Sequence, residues 1–126
     1  KKVDFDTLCQ TSDTLSLHTR LTAETADMCN ESFFSKLKPG CLFINTARGE
    51  LVDQAALLKA LDAGSIGGAC LDTFNPEPPN PNDPLFNHPK LLATPHIAGA
   101  SKTSAHNAID MISQQLAKWI DQNRTN

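Results

Sequence analysis

Short apolar runs alternate with segments of helical pattern along most of this chain, and that alternation limits the folds open to it. A short apolar run bounded by polar or turn residues is typical of a buried strand. We therefore predict four strands, at residues 14–18, 41–45, 66–71 and 91–93. Strands that alternate with helices form a parallel sheet with right-handed crossovers. The sequence thus predicts an α/β fold.

Capping residues and apolar spacing predict the helices. A short helix is expected at residues 6–10, and two short helical pieces at 22–36, with Asn30 as the N-cap of the second. Asp53 is expected to cap a helix that runs to Leu61 and is ended by Gly64. A long final helix is expected at residues 101–123. Its apolar stripe at helical spacing comprises Ala105, Ala108, Ile109, Ile112, Leu116, Trp119 and Ile120.

Composition excludes several classes of protein. The chain has 126 residues and a net charge of −3 without a basic cluster, which argues against a nucleic-acid role. Its apolar runs are far too short for a membrane span. The widely spaced cysteines, which form no C-x-x-C, predict no metal site and fit reduced thiols in the cytoplasm. They are Cys9, Cys29, Cys41 and Cys70, the last two expected to be small buried hydrophobes.

Polar motifs follow the predicted strands. Arg48, Asp72 and His96 each come just after a strand, and the carboxyl ends of parallel strands share one edge of the sheet. Together with Glu77 in the proline-rich loop, Arg48 and His96 could catalyse the reduction of a 2-oxo acid. An arginine grips a carboxylate with its planar fork, a histidine hands a proton to the carbonyl oxygen, and a glutamate favours the protonated imidazole.

Each of these residues also has a structural interpretation. Arg48 could be a surface residue that pairs with Glu50 or Asp53. Asp72 could be an N-cap or a loop carboxylate, and Glu77 a solvated residue of a rigid loop. His96 could be a structural histidine whose hydrogen bonds are satisfied.

The residues and the order of three motifs resemble those of the D-isomer-specific 2-hydroxyacid dehydrogenases. They are Ile-Asn-Thr-Ala-Arg-Gly at residues 44–49, Asp-Thr-Phe-Asn-Pro-Glu-Pro at 72–78, and Thr-Pro-His-Ile-Ala-Gly at 94–99. The resemblance, which runs from about residue 13 to 101, implies a Rossmann-like three-layer fold and an NAD or NADP cofactor. Arg48 would hold the substrate carboxylate, His96 would be the acid in reduction and the base in oxidation, and Glu77 would partner His96.

The resemblance also implies a set of cofactor contacts. Asp72 would accept a hydrogen bond from the nicotinamide carboxamide. The other cofactor-lining positions would be Thr19, Thr46, Ala47 and the backbone of His96, Ile97, Ala98 and Gly99. Relatives usually have proline where Arg20 stands, so this chain adds a cation near the cofactor.

No arrangement of the six glycines gives G-x-G-x-x-G, the turn that a dinucleotide pyrophosphate needs. We therefore expect residues 1–126 to be the C-terminal part of a dinucleotide-binding domain, inactive alone and without the substrate domain. Its expected partners are a small 2-hydroxy or 2-oxo acid and either the missing half or a second copy. Self-association would use the final helix or the edge strand at 14–18, along which Leu15 and Leu17 lie.

Two functional classes remain open at this point. One is an NAD(P)-dependent enzyme that transfers hydride to or from C2 of a D-2-hydroxy acid. The other is a non-catalytic NAD-binding regulator, similar to corepressors of the same superfamily that keep these residues. Turnover of a 2-oxo acid distinguishes the two.

Overall fold

The computed structural model describes residues 1–123 and divides the chain into two units, one ending at Pro95 and one beginning at His96. The first unit contains a four-stranded sheet with the order β1-β2-β3-β4, in which every pairing is parallel. The strands are β1 (Thr14–Leu17), β2 (Leu42–Asn45), β3 (Gly68–Leu71) and β4 (Leu91–Ala93). The predicted parallel α/β fold is confirmed.

Three helices of the first unit pack on one face of this sheet. They are α1 (Phe5–Thr11), α2 (Glu31–Lys36) and α3 (Gln54–Asp62). The side chain of Asn30 accepts from the Phe33 N–H at the start of α2, and Asp53 caps α3 in the same way. Short 3₁₀ helices at Gly49–Leu51 and Pro84–Asn87 complete the unit.

The core lies between these helices and the covered face of the sheet. Strand residues that face the helices stand side by side in register, so Leu15 pairs with Phe43 and Phe43 with Ala69. Phe33 and Phe34 of α2 meet Phe43 edge to face, with ring centroids 5.8 and 5.3 Å away. Such pairs add to the free energy gained by burial. The α2–β2 contact is therefore the centre of the core.

The opposite face of the sheet is less covered than the sequence predicted. We expected the apolar run at 41–45 to be buried on both faces, but Leu42 is 48% exposed and Ile44 is half-buried. Cys70, predicted to be buried, is also half-buried because it shares this face. Sequential strands joined by crossovers of one hand place all their helices on one side.

The edge strand also differs from the expectation. β1 forms one end of the sheet order, as predicted, but Leu15 and Leu17 are buried in the core instead of lying exposed along the edge. Burial alternates along a strand, so the side chains of these two leucines both point to the helices. What the edge presents is its backbone N–H and C=O groups.

The segment at 22–36 contains one helix, not two. Residues 23–27 form consecutive turns, and only Glu31–Lys36 is helical. The Thr25 hydroxyl donates to the Arg20 carbonyl and accepts from the Thr22 N–H, both at 2.8 Å. Threonine side chains that bond the nearby backbone compete with helical hydrogen bonds, which explains the turn.

The second unit consists of a short turn and the helix α4 (Lys102–Asn123). The Ser101 hydroxyl accepts from the Ser104 N–H at 2.9 Å, as an N-cap does. The helix buries none of its residues. Within residues 1–123, no helix combines the length and hydropathy that a bilayer crossing requires.

Two neighbouring residues of β2 test the assignment of the sheet faces. Phe43→Ala should lower the free energy of unfolding by about 3–5 kcal/mol, because it empties a fully buried site. Leu42→Ala, on the less covered face, should cost about 1 kcal/mol or less. Chemical denaturation measures both, and equal losses would contradict the assignment.

Candidate functional site

The carboxyl edge of the sheet forms a pocket of about 390 Å³. Its lining residues come from the segments after β1 and β2: Thr19, Arg20, Leu21, Thr46, Ala47 and Arg48. Four of these were site residues in the sequence analysis, namely Thr19, Thr46, Ala47 and Arg48. The fold brings these four residues together because β1 and β2 are adjacent and parallel.

The turn that carries Arg48 is held by the side chain of Asn45, a residue that the sequence analysis missed. Asn45 is fully buried at the end of β2. Its Nδ2 donates to the Arg48 carbonyl at 2.8 Å, and its Oδ1 accepts from the Ala47 N–H at 3.0 Å. The available signal was a polar amide, inside the motif at residues 44–49, that ends an apolar strand.

A close backbone approach fixes the other side of this turn. A Cβ atom on Gly49 would lie 2.0 Å from the Phe74 carbonyl oxygen, so only glycine fits there. Phe74 belongs to the loop that carries Glu77, and its N–H donates to Glu77 Oε1 at 2.8 Å. Gln54 of α3 donates to the Asn75 carbonyl of the same loop. The Arg48 turn and the Glu77 loop therefore abut.

The ion pair with Glu50 or Asp53 that the structural alternative gave Arg48 is not observed among residues 1–123. The Asp53 carboxylate accepts from the Ala55 and Ala56 N–H groups, both at 3.0 Å, as the cap of α3. Within residues 1–123, Arg48 forms no ion pair. Its Nη1 donates to the Ala47 carbonyl at 2.6 Å, and the side chain is exposed.

Asp72 is 3% exposed and lies directly after β3. Its Oδ1 accepts from the Thr94 hydroxyl at 2.5 Å, and its N–H donates to the Asn45 carbonyl at 2.9 Å. Asp72 and Thr94 line a small cavity of about 50 Å³, to which Thr46 also contributes. Thr46 thus borders both this cavity and the Arg48 pocket. The role of Thr94 as a partner of Asp72 was not predicted.

His96 opens the second unit and has a φ of 52°, in the left-handed region. Non-glycine residues there are uncommon and cluster at functional sites. Ile97, Ala98 and Gly99 follow in a turn, in which the Ala100 N–H donates to the Ile97 carbonyl at 2.9 Å. The pairing of His96 with Glu77 and the cofactor roles of residues 96–99 stay predictions.

The contribution of Asn45 to stability can be measured by substitution. Asn45→Ala should lower the free energy of unfolding by about 1–3 kcal/mol, because the Ala47 N–H and Arg48 carbonyl lose their partner. Asn45→Asp should cost at least as much, since a carboxylate oxygen would face that carbonyl. Thermal and chemical unfolding measure the loss. Asn30→Ala, which removes a helix cap worth about 1 kcal/mol, is the matched control. A smaller loss for Asn45→Ala than for this control would contradict the assignment.

Comparison with known proteins places the chain in one family. Residues 1–98 match the family described as D-isomer specific 2-hydroxyacid dehydrogenase, NAD binding domain. The D-3-phosphoglycerate dehydrogenase of Archaeoglobus fulgidus is 39% identical over 116 residues, which make up 92% of this chain and 22% of that protein. The glyoxylate reductase of Thermofilum pendens is 42% identical over 113 residues, which make up 90% of this chain and 33% of that protein.

A solved structure gives the same result for the fold. The D-isomer specific 2-hydroxyacid dehydrogenase from Lactobacillus delbrueckii ssp. bulgaricus, in its NAD complexed form, aligns with a TM-score of 0.80 and 38% identity, covering 90% of this chain and 39% of that one. The chain thus spans between about a fifth and two fifths of these relatives. The Rossmann-like fold and the cofactor class predicted from the sequence are confirmed. The chain belongs to the D-isomer specific 2-hydroxyacid dehydrogenase family, by its NAD-binding domain.

Proposed function

We propose that the whole protein containing this chain is an NAD(P)-dependent oxidoreductase that acts on the CH–OH group of D-2-hydroxy acids. The observation that carries the proposal is the Arg48 guanidinium, which lines a pocket at the carboxyl edge of the sheet and forms no ion pair with any residue of 1–123. Ligands of open parallel sheets bind at this edge. The relatives described above are named for 3-phosphoglycerate, a 2-hydroxy acid, and for glyoxylate, a 2-oxo acid.

The residues of this edge fit a nicotinamide cofactor. The buried Asp72 carboxylate offers an acceptor for a carboxamide N–H, and its cavity adjoins the Arg48 pocket through Thr46. The backbone of His96, Ile97, Ala98 and Gly99 would line the cofactor as well. When bound, the cofactor supplies or accepts the hydride at its C4. The phosphate-binding glycine turn would come from outside these residues.

The chain's own groups would do three things to the acid. Arg48 would hold the carboxylate through paired N–H donors and polarise the C2 carbonyl. His96 would donate a proton to the carbonyl oxygen during reduction and take it back during oxidation. Glu77 would accept from the imidazole, fix its tautomer and favour the charged ring. The hydrogen bond from the Phe74 N–H supports this role, because it holds the Glu77 carboxylate in one orientation.

Substitution of His96, the proposed general acid, and of Arg48 tests the proposed reaction. In the whole protein, His96→Ala should lower kcat by about 10²–10⁴-fold, because general acid catalysis is lost, while NADH affinity changes little. Arg48→Ala should mainly raise KM for the 2-oxo acid and also slow the chemistry. Steady-state kinetics and equilibrium NADH binding measure these effects. Near-normal turnover in either variant would refute its role. Cofactor binding without turnover by the unaltered protein would favour the alternative, a non-catalytic NAD-binding regulator.

The proposed Glu77–His96 pair predicts a change in pH dependence. Glu77→Gln removes the negative charge but keeps the size and a hydrogen-bonding side chain. The protonated imidazole is then less favoured. Reduction needs that form, so the variant should lose activity at a lower pH than the unaltered enzyme. Glu24→Gln, at an exposed site in the turn after β1, is the control. A profile identical to that of the control would disprove the pairing.

For the 126 residues alone we propose weak or absent NADH binding, no turnover, and self-association through the β1 edge or α4. The physical reasons are the missing glycine turn and the unpaired backbone groups of an edge strand. Calorimetric titration with NADH and light scattering after size exclusion measure these properties. Tight NADH binding would contradict the first expectation, and a monomer at high concentration would contradict the second.

A further inference from the structure

Two arginines line the pocket at the ends of β1 and β2. Arg20 and Arg48 are both exposed, and the other lining residues are two threonines, a leucine and an alanine. No carboxylate lines this pocket. Within residues 1–123, neither guanidinium forms an ion pair with a carboxylate. The pocket is thus a site of concentrated positive charge in a chain whose net charge is −3.

Hydrogen bonds hold the backbone segments that carry both arginines. Asn45 fixes the turn of Arg48, as described above. On the other side, the Arg20 carbonyl accepts from the Thr25 hydroxyl at 2.8 Å, which closes the segment after β1 into a turn. The Thr22 N–H donates to the same hydroxyl oxygen. Like charges held around one cavity repel each other, and a bound anion removes that repulsion.

One small carboxylate occupies one arginine fork. Arg48 is assigned to the carboxylate of the acid, and that assignment rests on the proposed function. Arg20 then remains as a second guanidinium that lines the same pocket, which Thr19 and Thr46, two residues with hydroxyl donors, also line. The volume of the pocket, about 390 Å³, leaves room for the acid and for a second anionic group beside it. The second guanidinium is the lining group that the acid and its single carboxylate leave unused.

We propose that Arg20 forms a second anion site in this pocket, which takes a phosphate or carboxylate group in addition to the carboxylate held by Arg48. The group has two possible sources with the same chemistry. It is either the distal anionic group of a doubly charged 2-oxo or 2-hydroxy acid, or a phosphate of the dinucleotide.

The experiment uses the whole protein with three variants. Arg20→Gln removes the charge, Arg20→Lys keeps it without the fork, and Lys90→Gln is the control. Lys90 is an exposed cation that precedes β4, at the opposite, amino edge of the sheet, so its loss changes the net charge equally. KM is measured for glyoxylate and oxaloacetate, which carry one and two anionic groups, and separately for NADH and NADPH.

Arg20→Gln should raise KM about 10- to 100-fold for the ligand that carries the extra group, as expected for a lost charged hydrogen bond. Arg20→Lys should lose less, and the control should lose nothing. An effect on oxaloacetate but not glyoxylate identifies the acid as the source. An effect on NADPH alone identifies its additional phosphate, and an equal effect on NADH and NADPH identifies the pyrophosphate. Matching profiles for Arg20→Gln and Lys90→Gln with every ligand would overturn the proposal.

Failure of the proposed function is distinguishable from failure of this site. If the unaltered protein reduces no 2-oxo acid, calorimetric titration with oxaloacetate, NADH and NADPH still measures the effect of Arg20. If turnover is normal and Arg48→Ala raises KM for glyoxylate, the proposed function stands, and the response to Arg20→Gln decides the anion site alone.

Discussion

The buried amide of Asn45 is the interaction on which the carboxyl edge of this sheet depends. Its side chain binds both sides of the Arg48 turn, and its backbone carbonyl accepts from the Asp72 N–H. One residue therefore connects the ends of β2 and β3. A buried amide left without partners would cost more than the hydrogen bonds return, so the turn and the amide stabilise each other only in this geometry. The position of the Arg48 backbone is therefore set by a residue at the end of β2.

The second constraint is the contact between Gly49 and Phe74. Two backbone segments that approach within the space of a missing Cβ cannot move independently. Through this contact, the turn of Arg48 and the loop of Glu77 share one position relative to the sheet. Gln54, the first residue of α3, adds a hydrogen bond to the same loop. Sites built on such supported loops keep their geometry better than sites on free loops.

The sequence was sufficient wherever the signal was local. Asn30 and Asp53 predicted the starts of α2 and α3 because a capping side chain acts within three residues of itself. Arg48 and Asp72 were placed at one edge because strand ends in a parallel sheet coincide. Asn45 was missed because its partners depend on the shape of a turn. Thr94 was missed because its partner lies 22 residues away. The exposure of Leu42 depends on which face the crossovers cover, and an apolar run does not encode that choice.

The distribution of ion pairs separates structural cations from those at the pocket. Lys36, Lys38 and Lys59 each pair with a carboxylate of a distant segment, at Asp6, Asp13 and Glu31. The partner Asp13 holds the pKa of Lys38 above its usual range, and Lys38 lowers that of Asp13. These exposed pairs contribute little stability individually.

Arg20 and Arg48, in contrast, line the pocket. A guanidinium stays charged throughout the physiological pH range. Binding of a carboxylate at this edge should then not depend on pH near neutrality. A pH dependence of turnover would therefore belong to the proton-transfer step proposed for His96, and not to capture of the acid. Binding of the acid would then depend on the guanidinium groups, and proton transfer on the imidazole of His96. Measurements of KM and kcat against pH distinguish these two contributions.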